Sequence, residues 1–484
     1  MVGLMLMIHR TINGMNSERM IIVLGGFIVG LCTITLEMHS FLLLAIPILI
    51  FLIIQSRYLL YSFLMFLPFT KVLSANIGGI SFTIADLLVG FMFLVVFLHA
   101  LQFKKISLEN NDANKILLLK LFFIGLGFIS SFYMASNLMH SPSLPAWALG
   151  ENLYTIALST NVRSFIPLFV LYIMFKFMNS VDKYKTTIKY TVIGSFLSCI
   201  YGVYEFIIKQ LDLGFGYLLP GHANEILYFE GFNRLSGTFG EPGYFAGFIV
   251  ISLILTLHSR SLKIFRQPFI ICLLLVQIFC LVMTFSTVGM LSLILVLFIL
   301  SLFRFKEQTI IILVPLAIFL FLVLQIEIIN DVVSKPLNSE SASSVDRSAT
   351  AVAGFNMFLD YPILGIGPGN FGLLFNEYMP TWGIPNVNEA IANNVYVDLL
   401  SSYGVLGLIL ILGFIFILIR NLIHVFLTDT KRVFSPYMIS ALASLLVIVV
   451  AYPTYRYAFL WVVVSLLIVS KQMNDQYRKE SQRL

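Results

Sequence analysis

Long apolar runs separated by short polar stretches dominate the chain, and within each run hydrophobic residues follow one another instead of alternating with polar ones. A run of about 20 apolar residues crosses the hydrocarbon core of a bilayer as a helix, and only helices or closed barrels satisfy their backbone groups there. The absence of alternation excludes a barrel. The pattern predicts fourteen candidate spans, at about 20–36, 40–55, 57–69, 84–103, 116–135, 160–178, 187–209, 242–258, 267–284, 287–303, 309–328, 396–420, 435–451 and 455–470. The third is short, so about 12 to 14 crossings are expected. The fold class this implies is an all-α polytopic membrane protein, with residues 1–484 forming one transmembrane domain.

Two connecting segments, 210–241 and 329–395, are much longer than the others, and long loops carry function more often than short ones. The larger contains an amphipathic stretch from Ser344 to Leu359, with Val345, Ala349, Val352, Phe355 and Phe358 near helical spacing, suited to lying along the membrane surface. A turn-rich stretch, Gly365-Ile-Gly-Pro-Gly-Asn-Phe-Gly372, follows it.

Composition agrees with the span pattern, since 59% of residues are hydrophobic and only 11% are charged. The positive charges orient the spans, because short cytoplasmic loops are enriched in Lys and Arg. With the amino terminus inside, 23 of the 30 Lys and Arg face the cytoplasm, while 16 of the 24 acids face out. Both termini are then cytoplasmic and both long loops extracytoplasmic, as in a bacterial inner membrane protein. The start of the chain has no small-residue cleavage site, so no signal peptide is expected. Cys32, Cys199, Cys272 and Cys280 all fall inside apolar runs without metal-ligand spacing, and read as buried hydrophobes.

Arginines on an otherwise acidic outer face demand a reason. Arg163 and Arg456 stand at the outer ends of spans and Arg234 and Arg347 in the two long loops, so several guanidinium forks can converge on one anion. Each alone also suits a solvated or snorkelling charge. A lipid diphosphate at the outer leaflet is the anion that the topology favours. Glu241 precedes Pro242 at the start of a span, where a carboxylate serves either as a general base or as a helix cap. The amides of Asn393 and Asn394 and nearby Tyr396 suit sugar hydroxyls, although paired asparagines also cap helices. His222 is an outer histidine without triad-like or metal-like neighbours. No D-x-D, Walker, Rossmann, H-E-x-x-H or G-x-S-x-G pattern occurs, so no metal, nucleotide or other cofactor is expected and nothing suggests a nucleic acid partner.

In order and context these residues resemble the O-antigen polymerase and O-antigen ligase superfamily of membrane glycosyltransferases. Arg234 to Gly247 looks like the polymerases' motif ahead of a span. Arg347, the stretch Gly354 to Phe371, Asn393 to Tyr396 and Tyr403-Gly-Val-Leu-Gly407 are similar to the family's large external loop and its return to the membrane. The resemblance implies a GT-C-like helical bundle, a polyprenyl-diphosphate-linked glycan as donor, no metal, and arginines against the diphosphate. It gives that role to Arg347, with Arg234 as the second. Ligases of this family typically show a His-Asn pair where this chain has Asn393-Asn394, and often an Arg after Ser or Thr where it reads Phe285-Ser-Thr-Val-Gly289. Both departures lean toward a polymerase and leave the base open among Glu241, Asp398 and His222, in that order. The partners implied are lipid-linked oligosaccharides as donor and acceptor, membrane lipids and a chain-length regulator protein. The rival readings are an O-antigen ligase and a transporter of lipid-linked glycans, the latter disfavoured by the lack of an internal repeat and of mid-span charge.

Overall fold

The structure is a computed structural model that describes residues 56–72, 75–77, 80–103, 111–138, 152–219, 228–229, 232–304, 342–380 and 392–483. The candidate spans at 20–36, 40–55 and 309–328, together with Cys32, His222 and the remaining parts of the two long loops, lie outside the described residues.

Every other candidate span coincides with helix. In chain order these are α1 (Ser56–Phe66), α2 (Ile84–Phe103), α3 (Asn111–Leu138), α4 (Leu153–Arg163), α5 (Phe165–Phe177), α6 (Val181–Gln210), α7 (Pro242–Ser261), α8 (Gln267–Met283) and α9 (Thr287–Arg304). The second half adds α10 (Ala342–Asp360), α11 (Phe371–Tyr378), α12 (Val395–Thr428), α13 (Ser435–Ala451) and α14 (Ala458–Arg483). Six spans among the described residues are long and apolar enough to cross a membrane, and shorter apolar helices accompany them. The chain is therefore a multi-pass helical membrane protein. Two small antiparallel hairpins interrupt the helical pattern, β1 (Ala75–Ile77) with β2 (Ile80–Phe82) and β3 (Tyr228–Phe229) with β4 (Phe232–Asn233).

Burial sorts the helices into centre and periphery. In α7 and α14, 89% and 83% of the apolar window is buried, against 39% in α3 and 33% in α12. Helix α7 is apolar on every side, as a helix enclosed by others must be, and it packs on α6, α8, α9 and α13. Cys199 and Cys280 are buried where α6 meets α8, but Cys272 is exposed on the outside of the bundle, contrary to its expected burial. An apolar side chain that faces lipid loses nothing by exposure, so the sequence pattern does not separate the two cases.

The large loop is fastened into the bundle by a break in α12. Gly404 has φ 60° and ψ −159°, which ends one helical segment and begins another. The break frees carbonyls and amides that lipid cannot satisfy. The Gly-rich stretch supplies their partners. Ile366 N donates to Ser401 O at 2.8 Å and Gly367 N to Ser402 O at 3.0 Å, while Val405 N donates to Pro362 O at 2.8 Å. On its other side the stretch meets α3, where the Ser131 hydroxyl donates to Pro368 O at 2.8 Å and Asn161 Nδ2 donates to the Ser131 hydroxyl at 2.9 Å.

Gly367, at φ 80°, has no room for a Cβ, which would fall 2.3 Å from the Ser131 backbone. Gly367→Ala is expected to cost about 1–3 kcal/mol through positive-φ strain and overpacking. A thermal unfolding midpoint unchanged from wild type in detergent would refute this wedge.

Candidate active site

The ends of α7, α8, α12 and α13 nearest the two long loops, together with α10, gather most of the residues singled out in the sequence. Arg347 lies on α10 with its guanidinium 4.9 Å from the centre of the Tyr452 ring, and its Nη2 donates to the Tyr452 hydroxyl at 3.2 Å. Tyr452 is the residue that ends α13, and its ring packs at a tilt of 53° against Tyr244, with centres 5.2 Å apart. A guanidinium carries five N–H donors, so this one hydrogen bond leaves it further donating capacity.

Arg234 reaches the same place from the loop before α7. Its Nε donates to Thr284 O at 3.0 Å and its Nη2 to Phe285 O at 3.5 Å. These carbonyls close α8, where the helix dipole favours a cation. Burial pulls the Arg234 pKa below its ordinary value, with Tyr452 and Glu241 opposing and Arg347 adding to the shift.

Glu241 occupies the cap position of α7 but makes no capping hydrogen bond through its side chain. The capping alternative therefore fails at the level of the hydrogen bond. Burial raises the Glu241 pKa above the usual carboxylate value, and the positive charges of Arg347 and Arg234 only partly offset this. Two guanidinium groups and one carboxylate thus act on one another electrostatically.

Arg163 and Arg456 form a second pair, each beside an acid. The Tyr455 hydroxyl donates to Asp398 Oδ2 at 2.5 Å, and the Arg456 guanidinium sits 5.8 Å from the Tyr455 ring centre. Although burial disfavours the charge of Arg456, Tyr455 and Asp398 outweigh it and hold the pKa above the ordinary value. The Arg456 side chain keeps a solvent-accessible surface. Arg163 feels the charges of Asp86 and Arg456. Asp86 itself closes a reciprocal cap with Thr83 at the start of α2, both bonds at 3.0 Å.

Tyr457 joins the two pairs electrostatically, since burial, Glu241 and the opposing charges of Arg456 and Arg163 together place its pKa at about 12.

Asn394 is a helix cap, its Oδ1 accepting from Tyr396 N at 2.9 Å and Val397 N at 3.3 Å. Asn393 donates its backbone N–H to Thr350 Oγ1 at 3.4 Å, and the exposed Tyr396 donates its hydroxyl to Leu446 O at 3.3 Å. Tyr452, Tyr244, Tyr455 and Tyr457 were not singled out by sequence reasoning. Three tyrosines within the six residues Tyr452-Pro-Thr-Tyr-Arg-Tyr457, at the outer end of a span, were the available signal.

With Arg347, the Gly-rich wedge and the start of α12 in one long loop region, the comparison with known families becomes informative. Residues 268–412 match the O-antigen ligase family model. The O-antigen ligase match covers α8 to the first half of α12 and includes Arg347 and Asp398, but neither Arg234, Glu241 nor Arg456. It supports a membrane function of the O-antigen ligase or polymerase type, a glycosyltransferase-like activity on lipid-linked glycans, and it favours neither enzyme over the other. A search of curated proteins found no match.

Proposed function

We propose that this protein is a polysaccharide polymerase that joins two polyprenyl-diphosphate-linked glycans at the outer face of a bacterial inner membrane. The reading rests on the meeting of Arg234, Arg347 and Glu241 at the start of α7, a site with cationic forks for a diphosphate and a carboxylate within their field. The acceptor hydroxyl attacks the anomeric carbon of the donor through an oxocarbenium-like state, and the bond to the diphosphate breaks as the glycosidic bond forms. Arg234 and Arg347 stabilise the charge that grows on the leaving diphosphate, while Glu241 takes the acceptor proton.

Arg163 and Arg456, compensated by Asp86 and Asp398, face the glycan or a second diphosphate, and Asn393 and Tyr396 border the same mouth. Cytoplasmic termini and a chain-length regulator as partner belong to the same reading. The polymerase assignment over the ligase follows from Asn393-Asn394, which lacks the histidine typical of ligases.

Purified protein given only lipid-linked repeat units is expected to yield polymer, read as a ladder on a gel. Product that forms only when a lipid A core is supplied would instead establish the ligase, and product in neither mixture would remove both.

A further inference from the structure

Glu205 and Lys209 stand one turn apart on α6 with side chains 0% and 8% exposed, and their charged atoms meet at 2.6 Å. Burying such a pair costs several kcal/mol per ion in desolvation, which the mutual attraction offsets only when further hydrogen bonds complete both groups. Two apolar residues would fill the same space at no such cost.

Much of the completing hydrogen bonding goes to the short loop that carries Arg234. Glu205 Oε1 accepts from Ser236 N at 3.2 Å and from the Ser236 hydroxyl at 3.0 Å, and Oε2 accepts from Gly237 N at 2.6 Å. Lys209 Nζ donates to Arg234 O at 3.2 Å. The next amide, Leu235 N, is tied to Met283 O at 2.9 Å, and Thr238 is fixed by Ser198 and by Pro68 O. Each residue from 234 to 238 thus has its backbone or side chain anchored by α6, α8 or the end of α1, and the Arg234 fork adds its own bonds to Thr284 O and Phe285 O.

We infer that the buried Glu205–Lys209 pair is a positioning device that aims the Arg234 guanidinium at its anion. The inference rests on the proposed role of Arg234 as a diphosphate ligand. The pair touches no substrate. It fixes the carbonyl of Arg234 on one side and the amides of Ser236 and Gly237 on the other, so the Cα–Cβ direction of Arg234 is set before any ligand arrives. Prepaid orientation of this kind spares the binding step the cost of ordering a loop.

The test is a mutant cycle read by affinity for farnesyl diphosphate, a short water-soluble polyprenyl diphosphate, titrated calorimetrically into detergent-purified protein. Glu205→Gln combined with Lys209→Met removes both charges together and leaves no uncompensated ion in the core, so the protein remains folded, as its thermal midpoint reports. That double variant is expected to bind about 10-fold to 100-fold more weakly, the range typical for groups that orient a ligand-binding side chain. Arg234→Ala alone is expected to lose at least as much. Introducing the two pair substitutions into Arg234→Ala is expected to cost nothing further, because the pair acts only through Arg234.

A purely structural role predicts additive losses instead. Additivity, or wild-type affinity in the Glu205→Gln, Lys209→Met protein while Arg234→Ala is weakened, overturns the inference alone. Wild-type affinity in Arg234→Ala overturns the diphosphate role of Arg234 and this inference with it.

Discussion

Replacing Arg347 by alanine is expected to slow glycan transfer about 10²-fold to 10³-fold, the usual loss when one preorganised donor is removed from a developing negative charge. The protein should still insert and fold, because Arg347 is only partly buried and its guanidinium donates to the Tyr452 hydroxyl at the edge of the bundle helices rather than bridging them through a buried ion pair. Cells carrying the variant are then expected to display single repeat units in place of long chains. Arg347→Lys should recover little. An ammonium group is a point donor that neither stacks on the Tyr452 ring as a planar fork does nor binds phosphate oxygens in pairs. Full-length chains in Arg347→Ala cells would exclude this residue from the mechanism.

Much of the scaffold was readable because a membrane span announces itself by length and apolarity alone. The details that failed have local causes. The span read at 160–178 begins earlier, at Leu153, and breaks at Ser164, three residues before Pro167, whose ring disfavours a continuous helix through that turn. The break in α12 was invisible, since Gly404 sits in an uninterrupted apolar run and its irregular backbone is stabilised by residues about 40 positions away. The Gly-rich stretch was legible as a turn, but not as the partner of that break.

Residue type decided what was visible at the site. Arg234, Arg347 and Glu241 were legible because charge is conspicuous in a chain with so few charged residues. Tyr452 was not, because an aromatic residue at a span end reads as an interfacial anchor. Glu205 and Lys209 looked like an ordinary i,i+4 helix pair, and only the chain folding back over them reveals which loop they hold. Arg163 and Arg456 each feel a nearby acid, Asp86 and Asp398 respectively, which sequence position alone did not reveal.

The carboxylate that feels Arg234 and Arg347 carries the second large effect. Glu241→Gln is expected to lower kcat about 10²-fold to 10⁴-fold, the range for loss of a positioned general base, with a smaller change in KM because the arginines that bind the diphosphate remain. Glutamine keeps the shape and an acceptor oxygen but takes up no proton. The pH profile supplies the independent check. A base must be deprotonated to act, so wild-type activity falls as pH drops through the Glu241 pKa. Burial raises that pKa above the usual carboxylate value, against the partial pull of Arg347 and Arg234, so the acid limb should lie at higher pH than an exposed glutamate gives. In Glu241→Gln that limb should vanish from the residual activity. If it persists unchanged, the proton goes to another group, and Asp398, hydrogen-bonded through Tyr455, becomes the carboxylate to replace next.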